Sequence, residues 1–197
     1  MNIIFATSNR GKLREAEEIL GEGFRLSTPA DFGITEDIPE TGSTLEENSQ
    51  LKAEYIHSRT RLDCFADDTG LEVDALGGAP GVRTARYAGD GHDFGACMDK
   101  LLREMEGIDS PQRRRARFRS VVTLIFGGQT LRFEGVLEGW IAFGKSGCGG
   151  FGYDPVFIAD EFPDCTLAEI SEEAKNDISH RGKALRAMAA WLRGKGN

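Results

Sequence analysis

Two adjacent carboxylates, Asp67 and Asp68, form the pattern in this sequence that points most clearly to chemistry. They follow a short apolar run, Cys64 to Ala66, which predicts a buried strand that ends at the acidic pair. A turn is expected next, at Thr69-Gly70. Oxygen ligands of this kind suit Mg²⁺, which keeps several waters and bridges to phosphates, and Glu40 offers a further carboxylate. The plainer alternative is a pair of turn residues that hold no metal.

A second pattern lies near the N-terminus, where TSNRGK places a lysine at the start of a predicted helix. Its members are Thr7, Ser8, Asn9, Arg10, Gly11 and Lys12. The free backbone N–H groups and the positive end of the helix dipole favour phosphate at such a turn. The P-loop pattern GxxxxGK[ST] is absent, which excludes a Walker-type site here. An ordinary capped turn between a strand and a helix is the alternative.

The glycine-rich stretch from Gly144 to Gly152 contains a literal match to GxGxxG. The strand-forming sequence YDPVFI follows it where a dinucleotide site requires a helix, so NAD binding is excluded. Beside it lie Phe151, Gly152, Tyr153 and Asp154. An aromatic ring next to glycine suits a flat base, because the backbone can approach the ligand closely. The alternative is a structural turn that closes a hairpin.

A basic cluster lies around the start of the last predicted helix, where Ser179 is the expected cap and the first turn holds His180 and Arg181. Its members are Lys175, Asn176, Ser179, His180, Arg181 and Lys183. Cations in the first turn of a helix oppose its dipole, and residues placed against local preference are sometimes retained for a ligand. A solvated basic face is the alternative. The arginine-rich segment 113–119 is interpreted differently, as the edge of a sheet that charge protects from pairing.

The elements that position these residues alternate between strand and helix. Residues 2–6 predict a buried strand, and a helix follows from about residue 10. A second helix is predicted from Ser43 or Thr44 to about residue 59, since either residue can form a capping box. On one stripe of that helix Leu45, Asn48, Lys52 and Ile56 fall together. Lys52 therefore either extends along the surface or serves a site.

The second half of the chain predicts three further elements. A third amphipathic helix covers residues 94–105, a long antiparallel hairpin covers about 118–143, and a final helix covers about 180–193. We find no repeat, linker or low-complexity segment. The sequence therefore predicts one mixed α/β domain over residues 1–197.

Composition limits the partners and the compartment. The chain has 32 acidic and 24 basic residues and a net charge of −8, which argues against a nucleic acid polymer as its partner. The four cysteines form no CxxC pair, so neither a zinc site nor a disulfide framework is predicted. The N-terminus lacks the pattern of a signal peptide, and no apolar stretch approaches the roughly 18 residues of a membrane span. We expect a cytoplasmic protein with no membrane partner.

Five blocks of the sequence, taken in order, resemble the inosine triphosphate pyrophosphatase family, which removes non-standard purine nucleoside triphosphates. They read TSNRGKLREAEEIL, ETGSTLEENSQLKAEYI, FADDTGLEVDALGGAPGVRTARYAG, GGFGYDPVF and AEISEEAKNDISHRGKALRAM. The resemblance implies an elongated mixed central sheet flanked by helices, with two lobes and an active-site cleft between them. It also implies a Mg²⁺ cofactor, a small-molecule nucleoside triphosphate substrate and a homodimer.

The resemblance also assigns roles to single residues. Residues 7–12 match the turn that binds the triphosphate, Lys52 matches a lysine that contacts phosphate, and Thr69 stands where serine is usual. Asp68 matches the general base and magnesium ligand, and Glu40 a further metal-site carboxylate. The residues that match the base-binding set are Phe151, Gly152, Tyr153, Asp154, Lys175, His180 and Arg181. Arg83-Thr84 departs from the family's usual Tyr-Ser, in a stretch expected at a dimer surface.

The implied activity is hydrolysis of ITP, dITP or XTP to the monophosphate and pyrophosphate. Donors from Arg181 and from the backbone near His180 would pair with the 6-oxo group of the base, which adenine lacks. Two alternatives stay open at this point. One is a related pyrophosphatase for modified pyrimidine or methylated nucleotides, and the other is a nucleotide-binding module without turnover.

Overall fold

The computed structural model describes residues 1–195, and over these residues five α-helices accompany seven β-strands. The strands are β1 (Asn2–Phe5), β2 (Arg25–Ser27), β3 (Cys64–Val73), β4 (Pro80–Gly81), β5 (Arg115–Phe126), β6 (Gln129–Ile141) and β7 (Phe157–Ala159). The helices are α1 (Arg10–Leu20), α2 (Leu45–Thr60), α3 (Phe94–Glu104), α4 (Glu172–Ile178) and α5 (His180–Lys195). Within the described residues, no helix is long and apolar enough to cross a membrane.

The strands form one mixed sheet, in the order β2-β1-β3-β5-β6-β7 with β4 paired to β3. Strand β1 runs parallel to both β2 and β3, whereas β4 is antiparallel to β3 and β7 to β6. The mixed α/β class is thereby confirmed. The described residues divide into two compact units, of which unit 1 contains residues 1–68, 120–135 and 181–195. Unit 2 contains residues 69–119 and 136–180, and a single domain over 1–197 stays a prediction.

Unit 1 packs helices on both faces of its strands, as the period of two along a strand requires. Ile3, Phe5 and Phe65 point to one face and join apolar residues of α1 and α5. Ile4 and Cys64 point to the other face and join the buried side of α2. Because both faces are covered, the strand ends that carry polar residues are held between packed layers.

Unit 2 has one large apolar core, formed between α3 and one face of the sheet. The opposite face of the same strands carries ion pairs, such as those from Arg117 to Asp74 and from Arg115 to Asp160. These arginines belong to the basic segment that we expected at a sheet edge. That expectation is wrong, because β5 lies between β3 and β6 in the strand order. The arginines are paired across the sheet and do not protect an edge.

One further boundary differs from the expected one. Strand β3 does not end at the acidic pair but continues to Val73, so no turn occurs at Thr69-Gly70. The final helix begins at His180 as predicted, and Lys175 of the basic cluster lies in the separate helix α4. Thr44 caps α2 through Glu47, and Glu47 in turn accepts from the backbone of Ser43. The two proposed capping residues therefore act together at one helix end.

Candidate active site

Asp67 and Asp68 lie inside strand β3, so their side chains leave the strand in opposite directions. Asp67 contacts residues of α1 and α5, whereas Asp68 contacts residues of α2. Both carboxylates are nearly inaccessible to solvent. The alternative of two turn residues is excluded, because neither residue lies in a turn and both are ion-paired.

Asp67 joins two cations from distant parts of the sequence. Its Oδ1 accepts from Lys12 Nζ at 3.0 Å, and its Oδ2 accepts from Arg181 Nε at 3.0 Å. Arg181 is also paired with Glu15 of α1. Burial alone would raise the pKa of Asp67, but the charges of Lys12 and Arg181 hold that pKa well below its usual range. Asp67 is therefore a permanent anion that fixes both cations.

Asp68 has the opposite electrostatic environment. Lys52 Nζ donates to Asp68 Oδ1 at 2.8 Å and to Glu40 Oε1 at 2.7 Å, so one ammonium bridges two carboxylates. Burial raises the pKa of Asp68, the charge of Lys52 opposes that rise, and Glu40 adds to it, with a raised pKa as the result. Lys52 is itself buried, so the alternative in which its side chain only extends along the surface is wrong.

Asn48, one turn before Lys52 on α2, also contacts the carboxylate of Asp68. Its Oδ1 accepts from the backbone N–H of Gly42 at 2.7 Å, and its Nδ2 donates to Asp68 Oδ2 at 3.3 Å. The amide orientation follows from chemistry, since a backbone N–H can only donate. Asn48 thereby links Asp68 to the loop that carries Glu40.

The turn after β1 is capped from within. Asn9 Oδ1 accepts from the backbone N–H groups of Gly11 at 2.8 Å and Lys12 at 3.1 Å, and Thr7 Oγ1 accepts from the N–H of Asn9 at 3.1 Å. The expectation that these amides are free for phosphate is wrong for these three donors. The side chains of Ser8 and Arg10 are exposed at the same turn, so the turn still presents cationic and hydroxyl groups to solvent.

In unit 2 the glycine-rich loop presents one aromatic ring and buries the next. Phe151 is 67% exposed and packs edge-on against Phe94 of α3, with ring centroids 4.9 Å apart. Tyr153 lies in the core, where its hydroxyl donates to the backbone carbonyl of Thr84 at 2.9 Å. Of these two rings, only Phe151 is placed to lie against a base. The half-buried Gly152 lies between them.

Asp154 holds the shape of this loop. Its Oδ2 accepts from the backbone N–H of Phe151 at 2.6 Å and also binds Lys175 of α4. Gly150 has a φ of +79°, and a Cβ added there would lie 2.3 Å from Asp154 Oδ2. Glycine is therefore required at this position, both by the left-handed backbone and by the closeness of the carboxylate.

His180 stacks on Phe118, with centroids 5.0 Å apart and planes 14° from parallel. Ser179, which precedes α5, donates its hydroxyl to the carbonyl of Asn176 at 3.3 Å. The boundary between the two units falls between His180 and Arg181. The two members of the predicted base-binding pair therefore belong to different units.

Within unit 1 the predicted site residues form two ion-paired groups. Lys12 and Arg181 pair with Asp67, whereas Lys52 joins Glu40 to Asp68. Within unit 2 the structure joins Phe151, Asp154 and Lys175, with Thr69 half-buried in β3. The sequence reasoning missed the parts of Asp67 and Asn48. Their signals were the alternation of side chains along a strand and a polar residue four positions before Lys52 on an apolar stripe.

The chemistry of the Lys52 cluster fits a magnesium ion. Glu40 and Asp68 converge on one point, and Mg²⁺ is usually held by one or two carboxylates together with waters and substrate phosphates. Over residues 1–195, no three His, Cys, Asp or Glu side chains are grouped so that they could hold a metal by themselves. The donor set therefore suits an ion that shares its ligands with a phosphate substrate.

Comparison with known proteins identifies the family and agrees with this fold. The sequence profile of the Ham1 family matches residues 3–191, and the chain belongs to that family. The dITP/XTP pyrophosphatase of Porphyromonas gingivalis is 48% identical over 190 residues, which cover 96% of each chain. That of Flavobacterium johnsoniae is 44% identical over 192 residues, which cover 98% of each chain.

Solved structures support the same assignment. The Ham1 protein of Staphylococcus aureus has a TM-score of 0.91 and 38% identity, and the match covers 99% of this chain and 100% of that one. The nucleoside-triphosphatase, dITP/XTP pyrophosphatase, of Mycobacterium abscessus has a TM-score of 0.81 and 40% identity, with 95% of this chain and 98% of that one covered. The family resemblance seen in the five sequence blocks is confirmed.

Proposed function

We propose that this chain is an enzyme that hydrolyses non-standard purine nucleoside triphosphates, namely ITP, dITP and XTP, to the monophosphate and pyrophosphate. The observation that carries this proposal is the pair of carboxylates, Glu40 and Asp68, that converges on Lys52. The substrate class is supported by full-length relatives that are named dITP/XTP pyrophosphatases. This activity removes unwanted nucleotides from the precursor pool.

The reaction requires water to attack the α-phosphorus while the bond from that phosphorus to the bridging oxygen of the β-phosphate breaks. Asp68 accepts the proton of the attacking water, as a carboxylate within reach of that water can do. Lys12 and Lys52 stabilise the negative charge that develops on the departing pyrophosphate. Asp67 takes no proton in this scheme, because its carboxylate is held in the ionised form by Lys12 and Arg181.

Mg²⁺ is the proposed cofactor, with Asp68 and Glu40 as its protein ligands. When bound there it would neutralise charge on the phosphate oxygens and favour attack by water. The TSNRGK turn binds the phosphate chain in this proposal through Ser8, Arg10 and Lys12. Where a phosphate oxygen approaches the amides of Gly11 and Lys12, the side chain of Asn9 must share or release them.

Base recognition is assigned to unit 2 and to Arg181. The exposed ring of Phe151 offers a surface for stacking, and Lys175 lies beside it through Asp154. Donors from Arg181 and the backbone near His180 pair with a 6-oxo group and disfavour adenine, which carries an amino group there. Gly152 and Tyr153 remain predicted base-binding residues. Because the ring of Tyr153 is buried in the core, its proposed part is to support the loop by packing.

A phosphate-release assay tests this function directly. Purified protein is incubated with ITP, dITP, XTP, GTP, ATP and dUTP, with and without added inorganic pyrophosphatase. Phosphate that appears from ITP only with the coupling enzyme supports pyrophosphate release, and a chelator should abolish it. Phosphate without the coupling enzyme indicates stepwise cleavage, preference for dUTP indicates the pyrimidine alternative, and no phosphate at all supports a binding module.

The homodimer and the cytoplasmic location belong to the same proposal. The family resemblance supports the dimer, and the composition and the cysteine pattern support the location. Sedimentation equilibrium of the purified protein tests the first. A molecular mass of about one chain would contradict it.

A further inference from the structure

Arg114 is a buried cation that the proposed reaction does not use. Only 3% of the residue is exposed, and its guanidinium donates to four backbone carbonyls. These belong to Ile141 at 2.6 Å, Ala142 at 2.9 Å, Met105 at 3.0 Å and Ile108 at 3.1 Å. Burial lowers the pKa of Arg114, and the charge of Asp109 partly opposes this shift. A desolvated charge of this kind is costly unless its hydrogen bonds are satisfied.

The four carbonyls lie at two defined places in unit 2. Met105 and Ile108 follow the C-terminus of α3, whereas Ile141 and Ala142 end strand β6 just before the glycine-rich loop. Arg114 therefore joins the end of one helix to the start of one loop. The planar fork of a guanidinium can hold several acceptors in one fixed arrangement, which a lysine ammonium cannot reproduce.

Both joined segments lead to the exposed ring of Phe151. Helix α3 begins with Phe94, whose ring packs against Phe151. The loop that starts after Ala142 carries Phe151 itself, and its two ends are tied by bonds from Ala142 N to Val156 O at 2.8 Å and from Ser146 N to Pro155 O at 2.9 Å. The position of Phe151 thus depends on how α3 and the end of β6 are held relative to each other.

We propose that Arg114 is a positioning residue for base selectivity, which fixes the loop that carries Phe151 against the helix that carries Phe94. This inference rests on the proposed function, because it concerns the selection of the base in that same reaction. Arg114 acts through backbone atoms and touches no substrate. Its removal should therefore change which nucleotide is chosen more than how the phosphate bond is broken.

The test compares Arg114→Lys and Arg114→Met with the wild type. The readout is the ratio of kcat/KM for ITP to kcat/KM for ATP, measured at equal protein concentration. This ratio does not depend on how much of the protein is folded, since an inactive fraction lowers both values equally. We expect the ratio to fall on the order of tenfold to a hundredfold, since small displacements of a positioning element have effects of that size.

Arg117→Lys is the matched control. Arg117 lies three residues further along the chain, in β5, is paired with Asp74 and Glu138 on the face of the sheet opposite the core, and should leave the ratio unchanged. If neither Arg114 variant folds, Phe94→Leu decides, because it loosens the far end of the same linkage and should lower the ratio as well. An unchanged ratio in a folded Arg114 variant, or in Phe94→Leu when that variant decides, overturns the inference. A wild-type protein without preference for ITP overturns the proposed function instead.

Discussion

The two groups of candidate residues are held in place by different forces. In unit 1 the side chains of Lys12, Lys52, Asp67 and Asp68 lie on regular helices and a strand and are fixed by buried ion pairs. In unit 2 an irregular loop holds Phe151 through a backbone bond to Asp154 and through aromatic packing. The first group depends on opposite charge, and the second on the shape of the backbone.

This difference matches the two tasks of the proposed enzyme. Phosphoryl chemistry needs fixed charges whose protonation states are set in advance, and burial between paired partners provides them. Selection among bases needs a surface whose position determines which ring fits. Changes at the carboxylates and lysines of unit 1 should therefore alter turnover and charge-linked stability, whereas changes at Arg181 and in the loop of unit 2 should alter substrate preference.

The largest effect is expected from Asp68→Asn. Removal of the proposed base should lower kcat for ITP by about 10²- to 10⁴-fold, the usual contribution of a general base. Nucleotide binding, measured by calorimetry, should largely survive. Asp74→Asn, which changes an exposed ion-paired carboxylate of unit 2, is the control and should leave kcat unchanged. Turnover near the wild-type rate in Asp68→Asn would remove Asp68 from the mechanism.

The next largest effect is a difference in stability between variants of the two neighbouring aspartates. Asp67→Asn leaves Lys12 without its anion and Arg181 with Glu15 alone, and it should lower the free energy of unfolding by about 3 kcal/mol. Asp68→Asn should cost less, because the fold already disfavours the charge of that carboxylate. Urea denaturation of both variants at pH 7 gives the comparison. Equal losses would show that the two residues are not held differently.

The pH dependence of this difference has a defined sign. Because the folded pKa of Asp67 is lowered, its contribution to stability is present above the ordinary aspartate value of 3.8 and is lost only as the pH falls through the lower, folded value. The destabilisation by Asp67→Asn should thus be full at neutral pH and shrink only in strong acid. A difference that disappears well above pH 3.8 would contradict the assigned ion pairs.

Asp68 should show the reverse behaviour in the metal-free protein. Its raised pKa means that the carboxylate takes up a proton as the pH falls through a value above 3.8, where Asp67 stays ionised. NMR titration of the carboxyl groups in the presence of a chelator should therefore find a group that protonates above that value and that is missing from Asp68→Asn. An Asp68 carboxyl that protonates only below pH 3.8 would contradict the assigned environment.

The sequence predicted the charged residues better than it predicted their geometry. Periodicity placed Lys52 on an apolar stripe. Capping chemistry offered Thr7, Ser8 and Asn9 before α1, of which Asn9 is the cap. The sequence did not predict that β3 continues beyond Asp68, because Asp and Gly are depleted in strands and only pairing with neighbouring strands overrides this preference. The sequence also did not predict that Arg181 pairs with Asp67, because the two residues are 114 positions apart along the chain.

The arginine-rich segment 113–119 is a second case in which local sequence did not predict the distant partners. Charge on a strand is typical of an edge, and local sequence does not show that Asp74, Glu138 and Asp160 lie opposite these arginines. The buried position of Arg114 depends on four carbonyls from two other elements, which no spacing rule connects. Predictions based on period and capping therefore succeed where contacts are local and fail where partners come from distant strands.

The smallest effect is expected in the loop of unit 2, from Gly150→Ala. The left-handed backbone at this residue and the closeness of Asp154 should together cost on the order of 1–2 kcal/mol and displace Phe151. KM for ITP should rise several-fold, while kcat stays close to the wild-type value. The free-energy cost of the substitution sets the upper limit of this rise. Gly144→Ala is the control, because the same loop offers open space at Gly144 and an ordinary backbone conformation. An equal rise in KM in both variants would show that the loop tolerates side chains generally, and a fall in kcat without a change in KM would place this loop with the charged residues of unit 1.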